Sequence, residues 1–483
     1  MQFLAIQQIV GLLLVFFSTS LLPPILVSLL YSDGTHQAFL HAFLATLLTG
    51  LVLWLPVCRL RKELRVRDGF VVVVLFWTVL ALFGAIPFVL SDNPSMMPVD
   101  AFFESMSGLT TTGGTVLTGI DDLPESIRYY RQQLQWFGGM GIIVLAVAIM
   151  PMLGIGGMQL YRAETPGPMK DNKITPRISE TAKALWYIYL GLTVLCALSY
   201  WLGGMNAFDA IGHSFSTVAT GGFSTHDKSM GYFDSAVIDV ITMVFMLLAG
   251  INFALHFLSW RTRSLIHYFH DPEVRGYFTL LFVISGLSIA YLTVTESFDG
   301  PVETLRHGAF QVISVVTSTG FSTTGFDWWP SFLPVMLLMA SCIGGCAGST
   351  AGGIKVVRAM LLYKQSKREM MRLVHPMALF PVKLGGKPVS NHVIDAVWGF
   401  FALYVLCFVV LLLALSATGA NLETAFSAVA ANLNNLGPGL GNVAKNYGSV
   451  SDAGKWILSF AMLMGRLELF TLLVLLTPTF WRG

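Results

Sequence analysis

One short motif occurs four times at nearly even intervals, and any fold for this chain has to accommodate all four copies. Its clearest copy is ISVVTSTGFSTTGF, Ile313–Phe326, where an apolar run ends in small hydroxyl residues around Gly320. The others are SGLTTTGGT around Gly113, STVATGGFST around Gly222 and AANLNNLGPG around Gly437. These glycines stand 109, 98 and 117 residues apart. Thirteen residues before them lie Asp100, Asp209, His307 and Thr424, each followed by a small residue (Ala101, Ala210, Gly308, Ala425). Self-similarity at a steady period marks a repeated structural unit. One copy would say little; four in register say that one unit is built four times after about residue 70.

Composition says what surrounds the units. The chain is 54% hydrophobic and only 12% charged, with a mean hydropathy of +0.68, which sets it apart from soluble domains. This is the composition of an integral membrane protein in a lipid bilayer. A net charge of +2 gives no argument for nucleic acid. The five cysteines (Cys58, Cys196, Cys342, Cys346, Cys407) lie mostly in apolar segments, and no histidine stands near Cys342 and Cys346 to complete a metal site. They read as small buried hydrophobes.

In chain order, residues 3–30 read as a retained spanning helix, because a basic leader and an A-x-A cleavage site are both missing. After a turn at Ser32-Asp33-Gly34 comes a second span, 37–57, followed by the basic loop RLRKELRVR. Each repeat then reads span, short helix, glycine stretch, span. The first repeat uses 70–91, Asp100–Leu109, Thr110–Thr115 and 134–160. The second uses 184–203, Asp209–Val218, Ala219–Phe223 and 236–258. The third uses 277–295, Val302–Val316, Thr317–Phe321 and a broken span, 332–363. The fourth uses 393–417, Leu422–Leu433, Asn434–Gly439 and 455–480.

The expected architecture is an all-α polytopic membrane protein of ten spans. It divides into a hairpin, 1–69, and pore repeats 70–183, 184–275, 276–391 and 392–483 around one pseudo-fourfold axis. Loop charges fit this. Arg162, Lys170, Lys173, Arg177 and Lys183 separate the first two repeats, and Arg261, Arg263 and Arg275 the next two. Lys364, Lys367, Arg368, Arg372, Lys383 and Lys387 precede the last. By the positive-inside rule both termini are cytoplasmic and the four re-entrant loops enter from outside. Arg128, Arg131 and Arg306 run against the pattern.

Non-helical backbone at membrane depth survives only where it is buried in protein or lines a water-filled path. Four such segments around one axis can present rings of carbonyl oxygens that replace a cation's hydration shell. Glycine permits the backbone angles this needs. The short helices would aim their partly negative C-terminal ends at the cavity, with Asp100, Asp209, Glu303 and Glu423 near the opposite, positive ends. A lone glycine would be as well explained by helix packing; four equivalent ones are not.

The segments FFESMSGLTTTGGT, AIGHSFSTVATGGFSTHD, TSTGFSTTGF, GGCAGSTAGGIKVVR, NLNNLGPGLG and GRLELFTLLVLLTPTFW run in order along the chain. In them the sequence resembles the TrkH family, the potassium-translocating subunits of bacterial Trk systems in the Trk/Ktr/HKT superfamily. The likeness covers essentially all 483 residues. It implies potassium uptake through a gated pore in the bacterial inner membrane, with rubidium accepted as well as K+. The ion would be held at Thr111, Thr112 and Gly113, at Thr220, Gly221 and Gly222, at Ser318, Thr319 and Gly320, and at Asn435, Leu436 and Gly437. Related plant transporters that select sodium carry a serine in the first repeat, so Gly113 points to potassium. The fourth repeat departs most, with Asn435-Leu436 in place of hydroxyl residues, and should select less sharply. The resemblance also implies pairing of two copies as a homodimer and a cytosolic TrkA-like subunit that binds nucleotides. The basic connections 162–183 and 364–387 are where such a subunit would dock.

Two more features carry chemistry. GGCAGSTAGG interrupts the last span of the third repeat with Gly344, Gly345, Gly348, Ser349, Thr350, Gly352 and Gly353. It lacks the G-K-[ST] ending of a phosphate loop, and a glycine break inside a span frees backbone to bend or fill a cavity. In the family this loop lies below the filter as a gate. A kink from glycine packing is the plainer alternative. Lys355 and Arg358 follow and are expected to snorkel at the cytoplasmic surface. The second feature is Arg466, inside the apolar run 455–480. A mid-bilayer arginine costs roughly 2.5–3.5 kcal/mol on insertion scales, so it should face protein or water. The expectation is an electrostatic barrier in the pore below the filter, with a structural salt bridge as the alternative. Glu468, two residues on, does not share its helix face.

His213 reads as a packing or hydrogen-bonding residue, and Trp328, Trp329 and Trp481 as interfacial anchors. An organic-solute transporter would be built from inverted repeats, whereas these run in one direction. No nucleophile elbow, nucleotide-binding motif or clustered His, Asp or Cys suggests an enzyme or a bound cofactor. Proton- or sodium-coupled symport would use the same filter and stays open.

Overall fold

The computed structural model describes residues 1–60, 65–139, 141, 178–467 and 469–482. Among these residues the chain is nearly all helix. The sheet is a two-stranded hairpin, Lys383–Leu384 antiparallel to Lys387–Pro388, turned at Gly385-Gly386. Six helices are long and apolar enough to cross a membrane: Phe3–Tyr31, His36–Val57, Arg67–Leu90, Lys183–Leu202, Pro272–Val294 and Asn391–Ala417. Their outer faces carry exposed Leu30, Val52, Leu202, Phe282 and Val294, as lipid contact requires.

Four shorter helices sit inside this shell: Pro98–Leu109, Ala207–Val218, Pro301–Val316 and Leu422–Leu433. None exceeds 16 residues, too short for a bilayer core of about 30 Å. Two solutions start them. Pro98 and Pro301 open the first and third, where a missing N–H costs nothing. Asn206 and Asn421 cap the second and fourth, accepting from the N–H of Asp209 and Thr424, both at 2.8 Å. Asp100, Asp209, Glu303 and Glu423 lie in the four first turns, the favourable sign at that end.

All four end the same way. The N–H groups of Thr112, Gly221, Thr319 and Leu436 reach back five residues to Ser107, Ser216, Ser314 and Ala431 at 2.8–2.9 Å. Those of Thr111, Thr220, Ser318 and Asn435 reach back three residues, at 3.0–3.3 Å. This is the paired capping of a Schellman motif, whose left-handed position glycine normally fills. Here it holds Thr111, Thr220, Ser318 and Asn435 instead, at φ of 51–55°, at roughly 1–2 kcal/mol each.

The second spans differ from expectation. The stretch 236–258 is not continuous: Ala236–Ala249 and Phe253–Thr262 meet at 95°. Asn252 caps the second piece by accepting from Ala254 N–H at 2.8 Å, so the chain restarts a helix at the break. The stretch 455–480 is likewise broken, Asp452–Leu467 and Leu469–Leu476 lying at 115°. In the third repeat Leu333–Ser341 and Val356–Val374 flank the expected interruption. In the first, the return helix starts at Glu125, nine residues before the expected 134, and runs to Gly139. Residues 142–160 and the docking stretch up to Arg177 lie outside the described residues, as does Glu468.

The cations that broke the loop-charge pattern are each paired. Arg128 meets Glu125 at 3.0 Å, Arg131 meets Glu104 at 2.8 Å, and Arg306 meets Asp239 at 2.6 Å. Two smaller readings need correction. Trp329 is buried, while Trp328 and Trp481 are exposed as anchors would be. Cys58, Cys342 and Cys407 are only half-buried, Cys196 and Cys346 fully. Cys342 Sγ accepts from Asn434 Nδ2 at 3.2 Å, so it serves as a polar neighbour of the fourth glycine stretch.

Candidate functional site

The four glycine stretches close into a ring. A Cβ added to Gly113 would stand 2.1 Å from the carbonyl oxygen of Gly221, and one on Gly222 would stand 2.0 Å from that of Thr319. A Cβ on Gly320 would meet Leu436 O at 2.2 Å, and one on Gly437 would meet Thr112 O at 2.6 Å. Each repeat therefore rests its glycine on the residue preceding the next repeat's glycine, in the order one, two, three, four and back to one. A side chain at any of the four would drive a neighbouring carbonyl out of place.

Backbone handedness repeats with it. The first and third residues of each triplet have positive φ, while the middle one is outside the left-handed set. Alternating handedness turns successive carbonyls to the same side of the chain, the geometry of a row of cation ligands. All twelve expected residues thus lie in one ring at the C-terminal ends of four converging helices, where the helix dipoles favour a cation. The repeats are bolted together by further bonds: Asn435 Nδ2 donates to Thr112 Oγ1 at 2.9 Å and Tyr447 N–H to Thr115 O at 2.7 Å, while within the fourth repeat Tyr447 OH donates to Gly437 O at 2.6 Å.

Several supporting residues were invisible as such in the sequence. Gln135, on the helix leaving the first repeat, donates to Gly221 O at 2.6 Å and accepts from Phe223 N–H at 3.0 Å. Its side chain fills the space a side chain at Gly221 would need, the Cδ lying 2.4 Å from that Cβ position. Gln132 donates to Phe223 O at 3.3 Å. The one available signal was a run of polar residues, RQQLQ, in an apolar context, and the expected helix began too late to include its start.

Just downstream of the second glycine, His226 is gripped by Asp121 of the first repeat and by Asp209, whose Oδ2 is 3.3 Å away. The ring stacks on Tyr232 at 3.4 Å, and the buried His213 lies parallel to it with centroids 6.4 Å apart. His213 bonds Asp209 O and Ser224 Oγ, both at 2.9 Å, the hydrogen-bonding part expected of it. Burial pulls the His226 pKa down, but Asp209 and Asp121 outweigh it and leave it raised. Burial raises the Asp121 carboxyl, and the bonds from His226 and Asp227 more than reverse this. No group of three metal-ligating side chains occurs among the described residues.

The interruption in the third repeat lies against the upstream end of the ring. Gly352 N–H donates to Ser318 Oγ at 2.5 Å, and a Cβ there would be 2.0 Å from Asn434 O. Thr350 Oγ1 donates to Val218 O at 3.1 Å and Ala249 O at 3.3 Å, contacting the second repeat at its pore helix and at its break. Gly348 O accepts from Phe253 N–H at 3.0 Å, and Cys346 N–H donates to Gly250 O at 2.9 Å. The two broken spans thus interlock. Ser349 Oγ donates to Cys346 O at 2.6 Å, and Gly344 packs on Gly352 within the loop, where a Cβ would meet Gly352 O at 2.1 Å. Val356 N–H donates to Gly345 O at 3.1 Å, and Ile354 N–H to Cys342 O at 2.8 Å, where Gly353 lets the chain turn back. Glu273 Oε1 accepts from Ala347 N–H at 2.7 Å and Val357 N–H at 3.1 Å, clamping entry and exit together.

Arg466 reaches this junction. Its Nη1 donates to Thr350 O at 3.3 Å and Thr111 Oγ1 at 3.4 Å, and its Nη2 to Gly138 O. The guanidinium also lies over Trp77, 5.4 Å from the ring centroid. One side chain therefore spans the loop, the first glycine stretch and the helix after it. Lys355 and Arg358, expected to snorkel to the cytoplasmic surface, are instead buried. Arg358 packs over Phe400 at 4.1 Å, and both line a cavity of about 70 Å³ shared with Arg466, Asn435 and Gly352. Three cationic side chains thus face one small space directly upstream of the ring.

Comparison with known proteins is consistent along the whole chain. The family model described as TrkH, cation transport protein, matches residues 35–482. The chain is 57% identical over 485 residues to the Trk system potassium uptake protein TrkH of Vibrio parahaemolyticus, covering 100% of each. It is 55% identical over 482 residues to the protein of the same name in Escherichia coli K12, again covering 100% of each. It is 39% identical to the Trk system potassium uptake protein TrkG of Escherichia coli K12, over 99% of this chain and 98% of that one. The crystal structure of the potassium transporter TrkH from Vibrio parahaemolyticus superposes with a TM-score of 0.91 at 55% identity, covering 100% of each chain.

Proposed function

Because the chain belongs to the TrkH family of cation transport proteins, we propose that it carries potassium into the cell through the glycine ring, with the Gly344–Gly353 loop as gate. It is a multi-pass membrane transporter, and its relatives are named as uptake proteins, not enzymes. The observation that carries the reading is the cyclic contact of Gly113, Gly222, Gly320 and Gly437 with the carbonyls of the next repeat. Such a ring offers a dehydrated cation oxygen ligands in place of water. K+ is the substrate ion, and Rb+, close to it in size, passes by the same route.

The four units 70–183, 184–275, 276–391 and 392–483 each contribute one quarter of the filter, and 1–69 packs outside them. The loop acts as the gate beneath the ring, with Lys355, Arg358 and Arg466 raising the barrier there for a cation. The protein sits in the bacterial inner membrane with both termini cytoplasmic and works as a homodimer. A cytosolic TrkA-like nucleotide-binding subunit docks on the basic connections, including 364–387, where Lys364 Nζ donates to Lys383 O at 2.8 Å and fixes the hairpin to the helix. Coupling to protons or sodium is the second reading, since the ring would serve a symporter equally.

The test is rubidium tracer uptake into liposomes holding the purified protein. Uptake driven by a potassium gradient alone, competed by potassium and weakly by sodium, is the expected result. Uptake only under an imposed proton or sodium gradient would make the protein a symporter. Uptake absent even with the cytosolic subunit added would remove the pore.

A further inference from the structure

The four quarters of the ring are not braced alike. Nine residues before each ring glycine stand Glu104, His213, Gln311 and Ala428, so the first position is a carboxylate and the others are not. Glu104 is fully buried and pairs with Arg131, itself 1% exposed, at 2.8 Å. Burying two charges is costly unless every lone pair and proton finds a partner, and here the partners are specific. Thr115 Oγ1 donates to the Glu104 carboxylate at 2.9 Å, and Val116 N–H donates to it at 3.0 Å. Arg131 donates to Ser224 O and to Thr115 Oγ1, both at 3.1 Å, with its guanidinium 4.3 Å from the centre of the Phe223 ring.

Thr115 and Ser224 occupy the same place in their repeats, two residues after Gly113 and Gly222. The ion pair therefore fastens the exit of the first filter segment to the exit of the second. The third and fourth segments are held by neutral bonds: Ser314 Oγ to Phe321 O at 2.6 Å, and Asn432 Nδ2 to Tyr447 OH at 3.0 Å. Gln311 leaves its Oε1 without a hydrogen-bond partner among the described residues.

We infer that Glu104 and Arg131 are specificity-determining positioning residues, whose buried ion pair fixes the distance between the first two filter segments and so sets how strongly potassium is preferred over sodium. A ring that rejects the smaller ion must resist closing around it. Charge-assisted bonds are about twice as strong as neutral ones, so the half of the ring carrying them supplies most of that resistance. Neither side chain touches the ion. The inference rests on the filter reading above.

The experiment measures how well external sodium and potassium compete with rubidium uptake in liposomes, for variants that purify as folded protein. Removing one partner alone would strand a buried charge, so the first variant is the double Glu104→Gln/Arg131→Met, which neutralises both. It should still transport rubidium, with sodium competing about tenfold better, the effect of losing one strong hydrogen bond. Arg131→Lys keeps the charge but loses the fork to Ser224 and Thr115, and should shift the ratio the same way by about threefold. An unchanged sodium-to-potassium ratio in Arg131→Lys, or in the folded double variant, overturns the inference, whatever happens to total uptake. Gly113→Ser separates this from failure of the filter itself. If it shifts the ratio while the pair variants do not, the ring stands and the brace falls; if none of the three shifts it, the filter reading falls with the brace.

Discussion

The glycine ring and the Gly344–Gly353 loop are both buried or half-buried, non-helical and rich in glycine, yet they are held in different ways. Each ring segment continues a capped pore helix and wedges against the backbone of the next repeat. The hypothetical Cβ contacts of 2.0–2.6 Å leave it no room to move. The loop forms no such closed circuit and is tied down by separate groups from several elements: Glu273 at its ends, Gly250 and Phe253 of the second repeat, Ser318 at Gly352, and Arg466 across it. Separate ties can be released one at a time, whereas a closed ring of backbone contacts cannot. Glycine content alone does not separate a rigid filter from a movable gate. What separates them is closure: Gly344 and Gly352 of the loop also lie against backbone carbonyls, but only the ring's contacts run through all four repeats and return to their start.

The contrast breaks most sharply at the ring. Gly320→Ala puts a Cβ 2.2 Å from Leu436 O at a position of φ +82°. Rubidium uptake should drop by roughly an order of magnitude or more in protein that still folds, and near-normal uptake would show that the ring is slack. Arg466→Ala comes next and acts in the other direction. It removes a half-buried charge and the bond to Thr350 O, so uptake should rise about three- to tenfold; a folded variant with unaltered flux would take Arg466 out of the gate. Glu273→Gln keeps the shape but weakens the acceptor for Ala347 and Val357 N–H. An increase of about twofold is expected, and a decrease would mean that the clamp favours the open loop.

The smallest effect is on pH. His226 faces Asp121, Asp209, His213 and Tyr232, with Asp227 N–H bonded to Asp121. A raised histidine pKa contributes stability that is fully present below its unfolded value of about 6.5 and is lost as pH climbs through the folded value. The lowered Asp121 pKa acts at the other end, its contribution failing as pH falls below the unfolded value of about 3.9. The thermal midpoint of the detergent-solubilised protein should therefore decline modestly as pH rises above neutral. His226→Gln should flatten that decline, and a variant with the parent's full pH slope would place its origin elsewhere.

Much of the ring was legible in the sequence because it is written four times. The four ring glycines, the four short helices and the interruption in the third repeat follow from period, length and glycine placement, while the twelve candidate filter positions came from the resemblance to the TrkH family. The interruption in the second repeat was not legible. Leu248–Phe253 reads LAGINF, one glycine and one asparagine in an apolar run; Asn252 caps the restarted helix, and the loop of the third repeat, bonding Gly250 O and Phe253 N–H, holds the break open. Lys355 and Arg358 misled for a related reason. A cation at the end of a span normally reaches water, but here the loop folds back beneath the ring and takes both inward.

By itself the sequence determined the membrane setting, the repeat and the residues of the ring, since hydropathy and local backbone preference are properties of short stretches. The tertiary structure decided which repeat touches which, where Arg131 and Gln135 spend their hydrogen-bonding capacity, and that three cations share one cavity below the ring. Those outcomes depend on partners 16 to 323 residues away in the chain, and a buried polar group is satisfied only by whatever the fold brings beside it.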